Sequence, residues 1–247
     1  MELIAGFGAM QIVAALIATL ASAFVRGLTG FGMAILLVPV LALALLPVEA
    51  VLITNLLSLC IGMSEIRRLV RDAERSAWMI GGLVALTTPI GLWLLTITGI
   101  DLARLVIALV ALSAFAAILL PRRGSAMPTI GATGGVGVVS GLMTGFAGMP
   151  GPPVVPYYVG RDLPRSAATA SMLLVFTIAG ATGIGAGAVL GELDLRLILL
   201  GLALFPAVLL GNWVGARASG RIAERTWRIC VGVVLGIAAL AALAKLV

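Results

Sequence analysis

The chain has 247 residues, 62% hydrophobic and 11% charged, with a mean hydropathy of +1.22. An ordinary soluble domain, in which roughly a quarter of residues are charged, is excluded. The 16 basic and 10 acidic residues leave a formal charge of +6, yet the arginines lie in short clusters between apolar runs with no interleaved aromatic residues, which fits lipid headgroups and excludes a nucleic-acid platform.

Crossing about 30 Å of hydrocarbon takes roughly 20 apolar residues. Residues 6–25 meet that length, and Met1-Glu2-Leu3-Ile4 lacks the basic flank of a cleavable signal, so a retained first helix is expected. An interruption, Arg26-Gly27-Leu28-Thr29-Gly30-Phe31-Gly32, precedes a shorter apolar segment over 33–46. A third segment, 50–66, follows Pro47 and Glu49 and ends in Arg67, Arg68, Arg71 and Arg75. Segments 76–98 and 105–120 come next, linked by Asp101 and Arg104. Past Arg122 and Arg123, residues 128–146 run into Gly148, Pro150, Gly151, Pro152 and Pro153, where the prolines preclude a regular helix through the turn. A short piece to about 160 and segments 166–189, 197–216 and 229–244 complete the chain.

This order repeats. Thr29-Gly30-Phe31 matches Thr144-Gly145-Phe146, Gly32-Met33 matches Gly148-Met149, Pro39 matches Pro156, Pro47 matches Pro164, and Gly91-Leu92-Trp93 resembles Gly211-Asn212-Trp213. Five matches in one order point to duplication, with repeats over 1–121 and 122–247. Placing the cluster around Arg67 in the cytoplasm also brings Arg122, Arg123, Arg161, Arg165 and the cluster from Arg217 to Arg228 inside, so the halves lie inverted. The expected fold is an all-α polytopic membrane protein of two inverted repeats, each with three full spans and a broken two-segment or re-entrant element. The number of crossing segments is then six to ten, according to how the broken elements are counted. Such a build recurs in secondary transporters, because exchanging the conformations of two similar halves opens one site alternately to either side.

The two interruptions are the candidate site. Gly27, Gly30 and Gly32 let the chain turn and approach a ligand, Thr29 offers a hydroxyl, and the restarted helix exposes N–H groups that favour anions. Thr144, Gly145 and Gly148 take the same parts in the second half. Alternatively these glycines only pack helices, as the ridges Gly137, Gly141, Gly145 and Gly211, Gly215 would. Arg26 either forks around a sulfonate, sulfite or carboxylate or snorkels to phospholipid. Thr54, Asn55 and Ser171 either complete a polar lining or hydrogen-bond between helices, and Pro39, Pro150 and Pro156 are gate or kink candidates.

Enzymatic chemistry has little to work with. There is no histidine, no pair of carboxylates deep in a span and no nucleotide-binding loop, and Cys60 and Cys230 lie in or beside apolar runs, so neither metal nor cofactor is expected. The expected partners are a small anionic substrate and membrane lipid, with a proton or sodium ion as the candidate coupling ion and a homo-oligomer compatible with the small-residue ridges. Glu49 and Glu65 sit near segment ends, where a solvated boundary role suffices.

Phe24-Val25-Arg26-Gly27-Leu28-Thr29-Gly30-Phe31-Gly32, followed by Pro39, resembles the first signature of the sulfite exporter TauE/SafE family, also called the probable membrane transporter family. Gly141-Leu142-Met143-Thr144-Gly145-Phe146-Ala147-Gly148, followed by Pro156, resembles the second. The resemblance covers residues 8–245 and implies a multi-pass cell-membrane protein that moves small organic or sulfur-containing anions, sulfite and sulfonates among them. An anion channel and a non-transporting membrane scaffold are the alternative readings.

Overall fold

A computed structural model describes residues 7–119 and 129–219 of the chain. Ten helices and no strands occur among these residues: α1 (Ala9–Thr29), α2 (Met33–Ala44), α3 (Pro47–Ser64), α4 (Ile66–Asp72), α5 (Arg75–Ile97), α6 (Ile100–Leu119), α7 (Ile130–Ala147), α8 (Gly151–Val159), α9 (Arg165–Val189) and α10 (Leu195–Ala218). Six of them, α1, α3, α5, α7, α9 and α10, are long and apolar enough to cross a membrane. The expected segment 229–244, Arg122, Arg123 and the arginines from 221 to 228 lie outside the described residues.

Several boundaries differ from the sequence reading for identifiable reasons. Pro47 does not separate segments but opens α3, at a position whose N–H has no helical partner, while the Glu49 carboxylate caps the Leu46 N–H at 2.9 Å. Helix α8 tolerates Pro152 and Pro153 for the same reason: they occupy its first turn. The arginine-rich stretch after Ser64 forms the short helix α4, with Arg68 paired to Glu65 at 2.6 Å.

Much of the outer surface is apolar. Ile17, Leu86, Trp93 and Leu202 are exposed along α1, α5 and α10. A surface of that composition needs lipid around it. Trp78 and Trp93, both half-exposed, stand near the two ends of α5, as aromatic residues at the two membrane interfaces do.

Inside, small residues set the helix pairing. Helices α1 and α10 run parallel, with Gly211 against Leu20 and Phe24, and Gly27 against Asn212 and Ala216. Helices α5 and α7 also run parallel, with Gly137 against Ile80 and Leu83, and Gly145 against Thr88 and Leu92. Helices α3 and α9 cross antiparallel between these pairs: Gly62 meets Thr177, Gly180 meets Leu59, Gly183 meets Asn55 and Gly187 meets Leu52. With no hydrophobic drive between helices in lipid, close backbone approach supplies the dispersion contacts that hold such pairs together.

The two parallel seams have the same contact geometry. Gly27 sits at the Asn212 carbonyl oxygen and the Ala216 nitrogen, and Gly145 sits at the Thr88 carbonyl oxygen and the Leu92 nitrogen. Gly215 meets the Phe24 carbonyl and the Gly27 Cα, and Gly91 meets the Leu142 carbonyl and the Gly145 Cα. By these contacts Gly27 corresponds to Gly145 and Gly91 to Gly215. Sequence matching paired Gly30 with Gly145 and Gly91 with Gly211, about one helical turn away in each case.

Candidate functional site

The first break folds through glycine. Gly30 ends α1 at φ 88°, donating its N–H to the Arg26 carbonyl at 2.7 Å, and Gly32 starts α2 at φ 94°. A side chain at either position would strain the backbone. Thr29 fastens the turn: its hydroxyl lies 2.6 Å from the Phe31 carbonyl and 3.0 Å from the Val25 carbonyl, and it accepts the Phe31 N–H at 3.3 Å. In the second break Gly148 adopts φ 65° and donates to the Thr144 carbonyl at 2.8 Å, and Pro150 leads into α8.

Both breaks open on one small cavity of about 40 Å³. Phe31 to Ile35 line it from the first break, Met149 to Gly151 and Val155 from the second, and Ser58, Ile61, Gly62, Leu173, Phe176 and Thr177 from α3 and α9. Arg26 also reaches its wall. Arg26 is only 7% exposed, and its buried Nη1 has no hydrogen-bond partner among the described residues. No carboxylate of the described residues forms an ion pair with Arg26, and the Glu65 carboxylate is engaged by Arg68 at 2.6 Å. An uncompensated guanidinium away from water is unfavourable by several kcal/mol.

The two helix starts at the cavity differ in their donors. Gly32 supplies no side-chain cap to α2, so the first-turn N–H groups from Met33 to Ile35 have no capping partner. Helix α8 likewise has no side-chain cap, but Pro152 and Pro153 carry no N–H, which leaves Gly151 as the first donor. The positive pole at the cavity is therefore asymmetric, concentrated at Arg26 and the α2 start.

Of the residues singled out in the sequence, Arg26, Gly32 and Pro150 line the cavity together. Gly27 and Gly145 lie at the two helix seams, and Gly30 and Gly148 shape the breaks, Gly148 packing on Val38 and Val51. The Thr29 hydroxyl is engaged within its own turn, and the Thr144 hydroxyl donates to the Ser140 carbonyl at 2.7 Å. Ser171 accepts the Glu74 N–H at 2.8 Å, joining α9 to the start of α5. Thr54 and Asn55 are buried in α3, with Thr54 Oγ1 and Asn55 Nδ2 unpartnered and Asn55 lodged against Gly183. Pro39 is buried within α2, whereas Pro156 is exposed on α8.

Ser58 was not picked out by sequence reasoning. It stands one turn beyond Thr54 on α3, and extending that polar face by four residues would have found it. Thr177 lines the cavity while its hydroxyl donates to the Leu173 carbonyl at 2.7 Å. The apolar lining, Phe31, Met149 and Phe176 above all, carried no sequence signal that separates it from lipid-facing or core residues.

At the basic end of the molecule the return of α8 is tied down. Arg161 grips both oxygens of Glu74 at 2.6 Å and lies 5.3 Å from the centre of the Tyr157 ring. The Glu74 carboxylate beside it raises the Arg161 pKa above the ordinary arginine value. Tyr158, fully buried, meets Ser76 at 2.9 Å, and Tyr157 meets Thr133 at the same distance.

These features define a multi-pass helical membrane protein in which two broken helical elements converge on one cation-bearing cavity. The chain belongs to the sulfite exporter TauE/SafE family, whose model matches residues 14–242. Membership makes it a membrane transport protein and implies a small anionic substrate. No curated protein and no solved structure matches the chain.

Proposed function

We propose that this protein is a secondary transporter that moves a small organic or sulfur-containing anion by alternating access between two inverted repeats, with Arg26 as the counter-charge of the bound anion. The observation that carries this reading is the buried, unpartnered Nη1 of Arg26 at a cavity shared by both breaks. A charge kept there is useful only if something negative joins it. The first-turn amides of α2 supply further donors to the same anion.

The inverted arrangement is supported by the pairing of helices. Exchange of the two halves turns the α1–α10 seam into the α7–α5 seam, and α3 crosses its counterpart α9 antiparallel. Arg26 orients the anion, the glycine-shaped breaks let α2 and α8 reorient around it, and Pro39 and Pro150 act where those half-helices bend or begin. A proton or sodium gradient is the drive to test.

The experiment is uptake into proteoliposomes of labelled sulfite, methanesulfonate and acetate, with pH and sodium gradients varied separately. Arg26→Gln is expected to lower apparent affinity at least tenfold while the protein still reconstitutes, and Arg26→Lys to retain part of the activity. Saturating uptake with exchange of labelled anion supports a carrier; a large unitary current points to a channel. Unchanged affinity in Arg26→Gln would remove Arg26 from the site.

A further inference from the structure

We infer that the cavity selects a singly charged organic anion with a short apolar body over a doubly charged inorganic oxyanion. The inference rests on the reading of this cavity as the anion site and specifies what the site accepts. Among the described residues that line the cavity, Arg26 is the one cationic side chain and none is acidic. One positive charge balances one negative charge. A dianion would leave a net charge uncompensated in a site whose other walls cannot screen it, and that imbalance is strongly unfavourable away from water.

The neutral donors do not make up the difference. Ser58 and Thr177 are the hydroxyl-bearing lining residues, and Thr177 already donates to the Leu173 carbonyl at 2.7 Å. At the α8 start two of the first three residues are prolines, so no second cluster of amides faces the α2 amides. The polar equipment is that of one anionic head group.

The rest of the wall is apolar. Phe31, Met33, Ile61, Met149 and Phe176 face the same space, and a Cβ at Gly151 would stand 3.8 Å from Phe176 Cζ, so the ring lies against the start of α8. A bare inorganic oxyanion makes no favourable use of such a wall. A short alkyl body does, and each methylene that enters contact should tighten binding by about fourfold. Methionine suits this role because its flexible thioether adapts to bodies of different shape.

The test uses the full-length protein purified in detergent, with thermal stabilisation titrated against methanesulfonate, ethanesulfonate, propanesulfonate, sulfate, and sulfite at a pH where it is doubly charged. Concentration dependence of the stabilisation gives apparent affinities. Expected are a rise of about fourfold per methylene from methanesulfonate to propanesulfonate, and sulfate and the sulfite dianion binding at least tenfold more weakly than methanesulfonate. Met149→Ala and Phe176→Ala are each expected to reduce the ratio of propanesulfonate to methanesulfonate affinity, a ratio readable from whichever variant folds. Arg26→Gln should weaken every alkanesulfonate. Dianions that bind as tightly as methanesulfonate, and lose that affinity in Arg26→Gln, would overturn the selectivity while leaving the anion site in place. Alkanesulfonate binding indifferent to Arg26→Gln would overturn the site itself.

Discussion

Gly27 of α1 lies against the main chain of α10 so closely that a methyl group in place of its hydrogen would overlap the Asn212 carbonyl oxygen. Gly145 of α7 stands in the same relation to Thr88 of α5. In both seams the obstructing atoms are backbone, which cannot rotate away as a side chain can. Gly27→Ala and Gly145→Ala are therefore expected to destabilise the protein by about 1–3 kcal/mol each. Gly134→Ala, where an added Cβ meets nothing within 4 Å, should be neutral or slightly stabilising. Thermal unfolding of the purified variants measures the contrast, and equal effects at all three positions would refute the seam argument.

Ser171→Ala removes the acceptor of the Glu74 N–H. The expected loss is about 1 kcal/mol of stability, because a partly buried backbone donor loses its partner. Apparent affinity for the transported anion should stay within twofold. A tenfold loss of affinity at unchanged stability would instead put the Ser171 hydroxyl on the substrate.

The fork between Arg161 and Glu74 holds the end of α8 to the start of α5. Glu74 is partly exposed, which limits the pair to about 1–2 kcal/mol after screening. Arg161→Gln and Glu74→Gln should each lose that amount, and the double variant should lose little more than either single one. Additive losses in the double-mutant cycle would show that the pair is not coupled.

Arg104 of α6 donates through Nε to the Ala42 carbonyl at 2.6 Å, and its Nη2 lies 3.4 Å from the Leu45 carbonyl at the end of α2. Those carbonyls belong to a helix terminus that has no helical donors left for them. Arg104→Met is expected to cost about 1–3 kcal/mol, with Arg104→Lys recovering part, since one ammonium cannot reproduce the fork. Chemical denaturation of the three proteins would check the order.

Thr98, Ile100, Glu192 and Asp194 line one depression, whereas Arg161 grips Glu74 at the opposite end of α5, a helix of 23 residues and so about 34 Å long. Cysteines introduced at Asp101 and Glu192 should react with an impermeant reagent from one face of the membrane, and a cysteine at Arg71 from the other. By the positive-inside rule the Arg71 face is the one expected in the cytoplasm. Labelling of Asp101 and Arg71 from the same side would refute this orientation.

Much of the fold was legible in the sequence because a membrane span declares itself by length and hydropathy, and a break by glycine and proline. Arg26 stood out as a candidate for a related reason: a lone arginine beyond a long apolar run either meets an anion or snorkels to phospholipid. The roles of Thr144 and Ser171 were not legible. A threonine hydroxyl bonded to the carbonyl four residues back, or a serine that accepts an N–H from a helix nearly a hundred residues away, looks the same in sequence as one aimed at a ligand. The seam contacts pair Gly27 with Gly145 and Gly91 with Gly215, about a turn from the motif matches in the sequence, since short glycine motifs recur at helical spacing and several alignments satisfy them almost equally well.

The sequence by itself determined that the chain lives in lipid, that its helices pack through small residues, and that each half carries a glycine-shaped interruption. These follow from local composition, and local composition does not depend on where the helices end up. Tertiary structure alone decided that both interruptions open on one cavity, that Arg26 reaches its wall without a partner, and that Phe31, Met149 and Phe176 supply the apolar remainder. The convergence is set by backbone contacts between helices far apart in the chain, α1 with α10 and α5 with α7, and no local pattern of residues encodes which seam will close on which.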